Sequence, residues 1–196
     1  KWSTIAGGHN HYVYGFSATV GGGMYNSAKG SWSTVGGGWY NSAFNSYSTI
    51  SGGAYNRAYG NSNYIGGGTS NWMYGPAYAT VDGGHNHYIY AYGATVAGGM
   101  YGSAYGSWGT TGGGWYQHTH GTYATIAGGY SNYGSGTGFT IAGGQSNNIY
   151  NTYSSINGGA SNYVYTAYST IGGGNNNWLY GYVATIGGGM YNSAYG

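Results

Sequence analysis

The sequence predicts an all-β chain: a single-domain parallel β-solenoid (β-roll or β-helix) spanning 1–196, with about thirteen coils of fifteen residues, one of them lengthened to sixteen. Three observations predict it. The first is a strict period. A branched residue stands at Ile5, Val20, Val35, Ile50, Ile65, Val81, Val96, Thr111, Ile126, Ile141, Ile156, Ile171 and Ile186, and Gly-Gly follows one residue later every time. A short fixed period of this kind marks a solenoid in which each copy is one coil. The second is coil length, too short for two packed helices and sufficient for two short strands and two corners. The third is propensity: Tyr47-Ser48-Thr49-Ile50 alternates and is rich in β-formers, so it reads as a strand.

Taken in order along one coil, each element has a physical reason. With Ile50 inward, Ser48 also faces in and Thr49 faces out. Gly52-Gly53 makes a corner, because glycine reaches backbone angles closed to other residues and lets successive corners stack. Asn56 to Ala58 makes the second strand, with Asn56 and Ala58 on one face, and Gly60 opens the second corner. The one extra residue, between Ile65 and Val81, is expected to bulge at the Gly75-Pro76 corner.

Columns carry more information than rows. Asn recurs six residues after the branched position at Asn26, Asn41, Asn56, Asn71, Asn132, Asn147, Asn162, Asn177 and Asn192. Stacked side chains there can form an amide ladder, and an Asn that merely tolerates a turn is the alternative. Tyr recurs nine residues after it at Tyr14, Tyr59, Tyr74, Tyr90, Tyr105, Tyr150, Tyr165, Tyr180 and Tyr195, an expected aromatic stripe. Two coil types compensate one another. Where the inward residue of the second strand is Ala, as at Ala28, Ala43 and Ala58, a Tyr lies three residues before it; where it is large, as at Met73 or Ile89, an aromatic sits beside it. A longer duplication overlies the coils: His9-Asn10-His11-Tyr12 returns as His85-Asn86-His87-Tyr88, and Met24-Tyr25 as Met100-Tyr101.

Composition excludes several function classes. The charged residues are Lys1, Lys29, Arg57 and Asp82, for a net charge of +2, which offers no basic patch for nucleic acid. A lone carboxylate provides no acid pair and no Ser-His-Asp arrangement, so no enzyme is expected, and no cofactor. With no Cys there is no disulfide framework, and no apolar run approaches a membrane span. His9/His11, His85/His87 and His118/His120 are spaced to share a strand face, yet two imidazoles fall short of a firm metal site, so none is expected.

The run Gly-Gly-Gly-Met24-Tyr25-Asn26-Ser27-Ala28 followed by Trp32-Ser33-Thr34-Val35-Gly36 resembles the head repeats of YadA-like trimeric autotransporter adhesins. The resemblance implies a left-handed parallel β-roll over essentially the whole chain. This chain departs from that pattern in its fifteen-residue period and its abundance of tyrosine.

The function expected is a structural subunit of an extracellular or cell-surface fibre, with copies of itself as partners. Joining Gly196 to Lys1 reproduces the coil pattern, so Tyr191, Asn192, Ala194, Tyr195 and Gly196 are expected to meet Trp2, Ser3, Thr4 and Ile5 of another copy head to tail, with lateral bundling or a glycan covering the aromatic stripe. Two alternatives are an adhesin or carbohydrate-binding rod using exposed aromatics, and an ice-binding protein using the outward Thr column, such as Thr19, Thr34, Thr49 and Thr95.

Overall fold

The computed structural model describes residues 2–195, and among them it contains strands and turns with no helix. The chain is all-β, a parallel β-solenoid of about thirteen coils, each with two strands of two residues. Its coils group into two compact units, Lys1–Met100 and Tyr101–Gly196.

In the first unit one parallel sheet is built from Thr4–Ile5, Thr19–Val20, Thr34–Val35, Thr49–Ile50, Tyr64–Ile65, Thr80–Val81 and Thr95–Val96, in that order. The other is built from Tyr12–Val13, Ser27–Ala28, Ser42–Ala43, Arg57–Ala58, Trp72–Met73 and Tyr88–Ile89. Register is constant: Thr34 pairs with Thr49 and Val35 with Ile50, as Ser42 pairs with Arg57 and Ala43 with Ala58. The second unit repeats the arrangement, from Thr110–Thr111 to Thr185–Ile186 and from Ser103–Ala104 to Ser193–Ala194.

The strands are shorter than the sequence implies. Tyr47, expected as the first residue of a strand, lies in the left-handed region with φ 60°, and only Thr49–Ile50 is extended. The same position is left-handed at Trp32, Tyr78, Trp108, Tyr123, Tyr153 and Tyr168, and a second left-handed position falls at Tyr25, Tyr40, Tyr55, Tyr101 and Tyr116. A non-glycine residue pays about 1–2 kcal/mol to adopt that conformation. The return is visible in the hydrogen bonds. Thr34, Gly36, Trp39, Ser42 and Phe44 donate their N–H forward to carbonyls of the next coil. Tyr40 and Tyr47 donate backward, to the carbonyls of Met24 and Ser31. The left-handed residue turns its amide round, so the tight corners stay satisfied without water.

Four inward columns make the core. Val20, Val35, Ile50 and Ile65 face Ala28, Ala43, Ala58 and Met73, all fully buried. Beside them lie Ala18, Ser33 and Ser48 in one corner and Asn26, Asn41, Asn56 and Asn71 in the other. The corner hydroxyls are matched: Ser48 Oγ donates to the Gly60 carbonyl at 2.6 Å, and Ser33 Oγ to the Gly30 carbonyl at 2.7 Å. The extra residue is taken up as expected at Pro76. Pro76 is exposed, its carbonyl accepts from Asn61 N–H at 3.0 Å, and Ala77 bridges to Asn61, so the strands on either side keep register.

In the second unit two coils vary the core in ways the period hides. Phe139 is fully buried in a column otherwise filled by small residues, and Gly134 opposite it leaves the room, since a Cβ at Gly134 would collide with the ring. Thr111 replaces the branched aliphatic, and its hydroxyl pairs with that of buried Thr119 at 2.9 Å.

The two glycines of each corner are unequal. At Gly53, φ is +85° and a Cβ would strike the Gly68 carbonyl; at Gly52 a Cβ would meet nothing within 4 Å. Gly53→Ala is therefore expected to lower Tm sharply in a thermal melt, while Gly52→Ala stays within about 1 kcal/mol of the parent or gains slightly.

Candidate interaction surface

The Asn column is a hydrogen-bonded spine. Asn56 donates from Nδ2 to the carbonyls of Gly52 at 3.0 Å and Gly68 at 2.9 Å, and its Oδ1 accepts the backbone N–H of Asn71 at 3.0 Å. Asn26, Asn41, Asn132 and Asn147 repeat the pattern. Direct amide-to-amide bonds, the expected ladder, form where Asn162, Asn177 and Asn192 each donate to Oδ1 of the Asn one coil before, at 3.0–3.1 Å. Turn tolerance is not the cause, because the left-handed residue is the one before it, such as Tyr25 before Asn26.

His11 and His87 occupy this inward column. His11 Nδ1 accepts the Asn26 N–H at 3.2 Å, and His87 N–H donates to Asn71 Oδ1 at 3.1 Å. His9 and His85 sit instead at the bridging corner, with left-handed Asn10 and Asn86 between the members of each pair. The expectation that each of these pairs shares one face is overturned by that reversal. His118 and His120 do lie together, with ring centroids 6.4 Å apart. Burial lowers the pKa of both, and for His118 the charge of His120 adds to it, so both are neutral at pH 7. Among the described residues no group of three or more His, Cys, Asp or Glu side chains comes together.

The Tyr stripe lies along the outer face of the second strand and is stacked ring on ring. In the first unit Phe44, Tyr59, Tyr74 and Tyr90 follow one another at centroid distances of 4.3, 5.0 and 5.1 Å. In the second, Tyr150, Tyr165, Tyr180 and Tyr195 stack at 5.2, 5.0 and 5.0 Å, and Tyr105 stacks on His120 at 4.3 Å. Tyr14 stands apart from the file: its position in the next coil is Lys29, and it stacks on Tyr12. A ring covered on both sides offers solvent its edge and its hydroxyl, not its face. A parallel file runs beside it through Tyr25, Tyr40 and Tyr55, at 4.6 and 5.4 Å. The compensation between coil types keeps these files supplied: where the second file has Ser70, Trp72 fills the row beside it and donates Nε1–H to the Tyr55 carbonyl at 3.2 Å.

The Thr column lies on the other sheet, half-buried at Thr19, Thr34 and Thr49. Trp32 and Tyr47, which the sequence places on the same strand face, instead project from the left-handed corner beside it, stacked at 5.1 Å.

At the first coil Trp2, Ser3, Thr4 and Ile5 are exposed, and Ile5 is 50% accessible where Val20 is fully buried. Tyr191, Asn192 and Tyr195 are likewise exposed, Ala194 is half-buried, and Gly196, with Lys1, lies outside the described residues. No protein-family model matches the chain, and no curated protein matches it. The fold defines its class, a β-solenoid repeat protein, and no helix among the described residues is long and apolar enough to cross a membrane.

Stacking leaves an electrostatic signature. The phenols of Tyr74, Tyr150, Tyr165 and Tyr180 are raised above their ordinary value of 10.0, by burial first and by neighbouring phenols second. An acid whose folded pKa is raised contributes stability below its unfolded pKa and loses it as pH rises through the folded one. An alkaline spectrophotometric titration is expected to show a tyrosine fraction ionising above pH 10, with Tm falling over the same range. Chelator is expected to leave Tm unchanged at neutral pH; a drop of many degrees would mean that histidine holds a structural metal.

Proposed function

We propose that the chain is a structural module of an extracellular fibre or surface appendage, assembling with copies of itself. The observation that carries this reading is the constant-register backbone ladder within each unit, reinforced by runs of Asn and of stacked rings. Thr4–Ile5 is the first strand of one sheet and Ser193–Ala194 the last of the other. Another coil in the same register, whether from the same polypeptide or a second copy, would cover Ile5 and, from a second copy, set His11 next to Asn192 in the inward column. An added coil contributed by a second copy is a heterologous contact that does not close, which generates filaments. The exposed aromatic files support lateral association, since contiguous apolar surface of this extent marks interaction.

The purified 196-residue chain is expected to form filaments in negative stain, with intact mass near 20.3 kDa recovered from them. Trp2→Asp and Tyr195→Asp should each block elongation while leaving the β-type circular dichroism spectrum in place. A discrete monomer that persists at high concentration would overturn the reading.

A further inference from the structure

The row between the two aromatic files narrows to small side chains at one place in the first unit. In the row between them the residues of successive coils are Tyr12, Ser27, Ser42 and Arg57, paired in register. Two serines in succession leave a gap where neighbouring coils carry large side chains. The result is a trough of about 440 Å³ lined by the aromatics Tyr12, Tyr14, Tyr25 and Tyr40 together with Ser27, Lys29 and Ser42. Its size falls within the range of small-ligand sites, roughly 300–1,000 Å³.

The lining has a defined chemistry. Ser27 is 5% exposed, and its Oγ has no hydrogen-bond partner. A buried hydroxyl left unpaired costs about 1–3 kcal/mol, which a bound donor or acceptor would recover. Lys29 and Arg57, two of the three basic residues of the chain, border the same stretch. Lys29 Nζ lies 4.4 Å from the Phe44 ring and the Arg57 guanidinium 4.9 Å from Trp72, so both cations are held over rings. The one carboxylate, Asp82, belongs to another coil and the other side of the section. Tyr12 abuts Ser27 in the row, so its ring is not sandwiched as Tyr74 is. We propose that this trough binds a carboxylate-bearing saccharide of about two rings, a uronic acid disaccharide unit. The carboxylate pairs with Lys29, ring hydroxyls bond Ser27 and Ser42, and the apolar face of a pyranose lies against Tyr12. One lining cation, Lys29, is too few for a polyphosphate, and the phenol and serine hydroxyls of the lining suit a polyol.

The duplicated block serves as an internal comparison. Seventy-six residues on, Tyr25, Ser27 and Tyr40 return as Tyr101, Ser103 and Tyr116, but Lys29 becomes Tyr105 and Ser42 becomes His118. The cation is gone and the second serine position is occupied by an imidazole, so one site per chain is expected. This inference goes beyond the structural reading and stands independently of filament formation.

The test titrates the whole chain with digalacturonic acid, following tyrosine fluorescence and aromatic NMR shifts, with neutral digalactose and inorganic phosphate as comparisons. Saturable binding of one molecule per chain, in the millimolar range or tighter, is expected, with digalactose weaker. Lys29→Gln should weaken the acidic sugar by about tenfold and leave digalactose unaffected, and Ser27→Ala should weaken both severalfold. Because the Ser27 hydroxyl is buried without a partner in the free chain, that variant should keep or raise its Tm, so lost binding is not lost folding. No saturable shift, undiminished affinity in both variants, or phosphate competing as well as the sugar acid would each overturn the proposal.

Discussion

Each coil hydrogen-bonds to the next at the same residue of the repeat, and a slip of one position would turn every buried Ile outward and put Thr in the core. Constant register is therefore the constraint on which the core, the Asn spine and the ring files all depend. Two-residue strands provide too little pairing to define it alone. The Asn column adds the missing specificity, because each side chain ties its own corner to the next one and accepts the backbone N–H of the following Asn. An Asn displaced by one residue would leave those buried carbonyls and amides unpaired, an expense of several kcal/mol per coil at about 1–3 kcal/mol per group.

Much of this was legible before any coordinates. The Ile/Val column, the small inward Ser or Ala, the Asn spine and the Pro76 bulge all stand where period-two alternation and the fifteen-residue step put them. What the sequence concealed was backbone direction. Trp32 and Tyr47 look like strand residues by propensity, and nothing in the side chain announces that these positions are left-handed. The signal available was indirect: the same slot accepts Ser17, Gly93, Gly138 and Val183, a mixture no strand position with a packing role would tolerate. The same concealment separated His9 from His11, since alternation fails across a left-handed Asn10.

The core illustrates how a solenoid tolerates substitution. Phe139 is accommodated because Gly134 lies opposite, and Thr111 because Thr119 supplies its hydroxyl partner. Each exchange is settled within one coil and its neighbours, as expected of a quasi-one-dimensional fold. The outer face follows the same rule with aromatic rings as the currency of compensation, and the trough at Ser27 and Ser42 is where two adjacent coils leave it unfilled.

The corner at Pro76 admits one additional residue while the strands before and after it remain paired. Length at that corner is thus uncoupled from register, which elsewhere is unforgiving. A foreign loop grafted between Gly75 and Ala77 would leave the ladder intact and stand clear of it, so the fold carries a ready attachment point for displaying peptide sequence along its side.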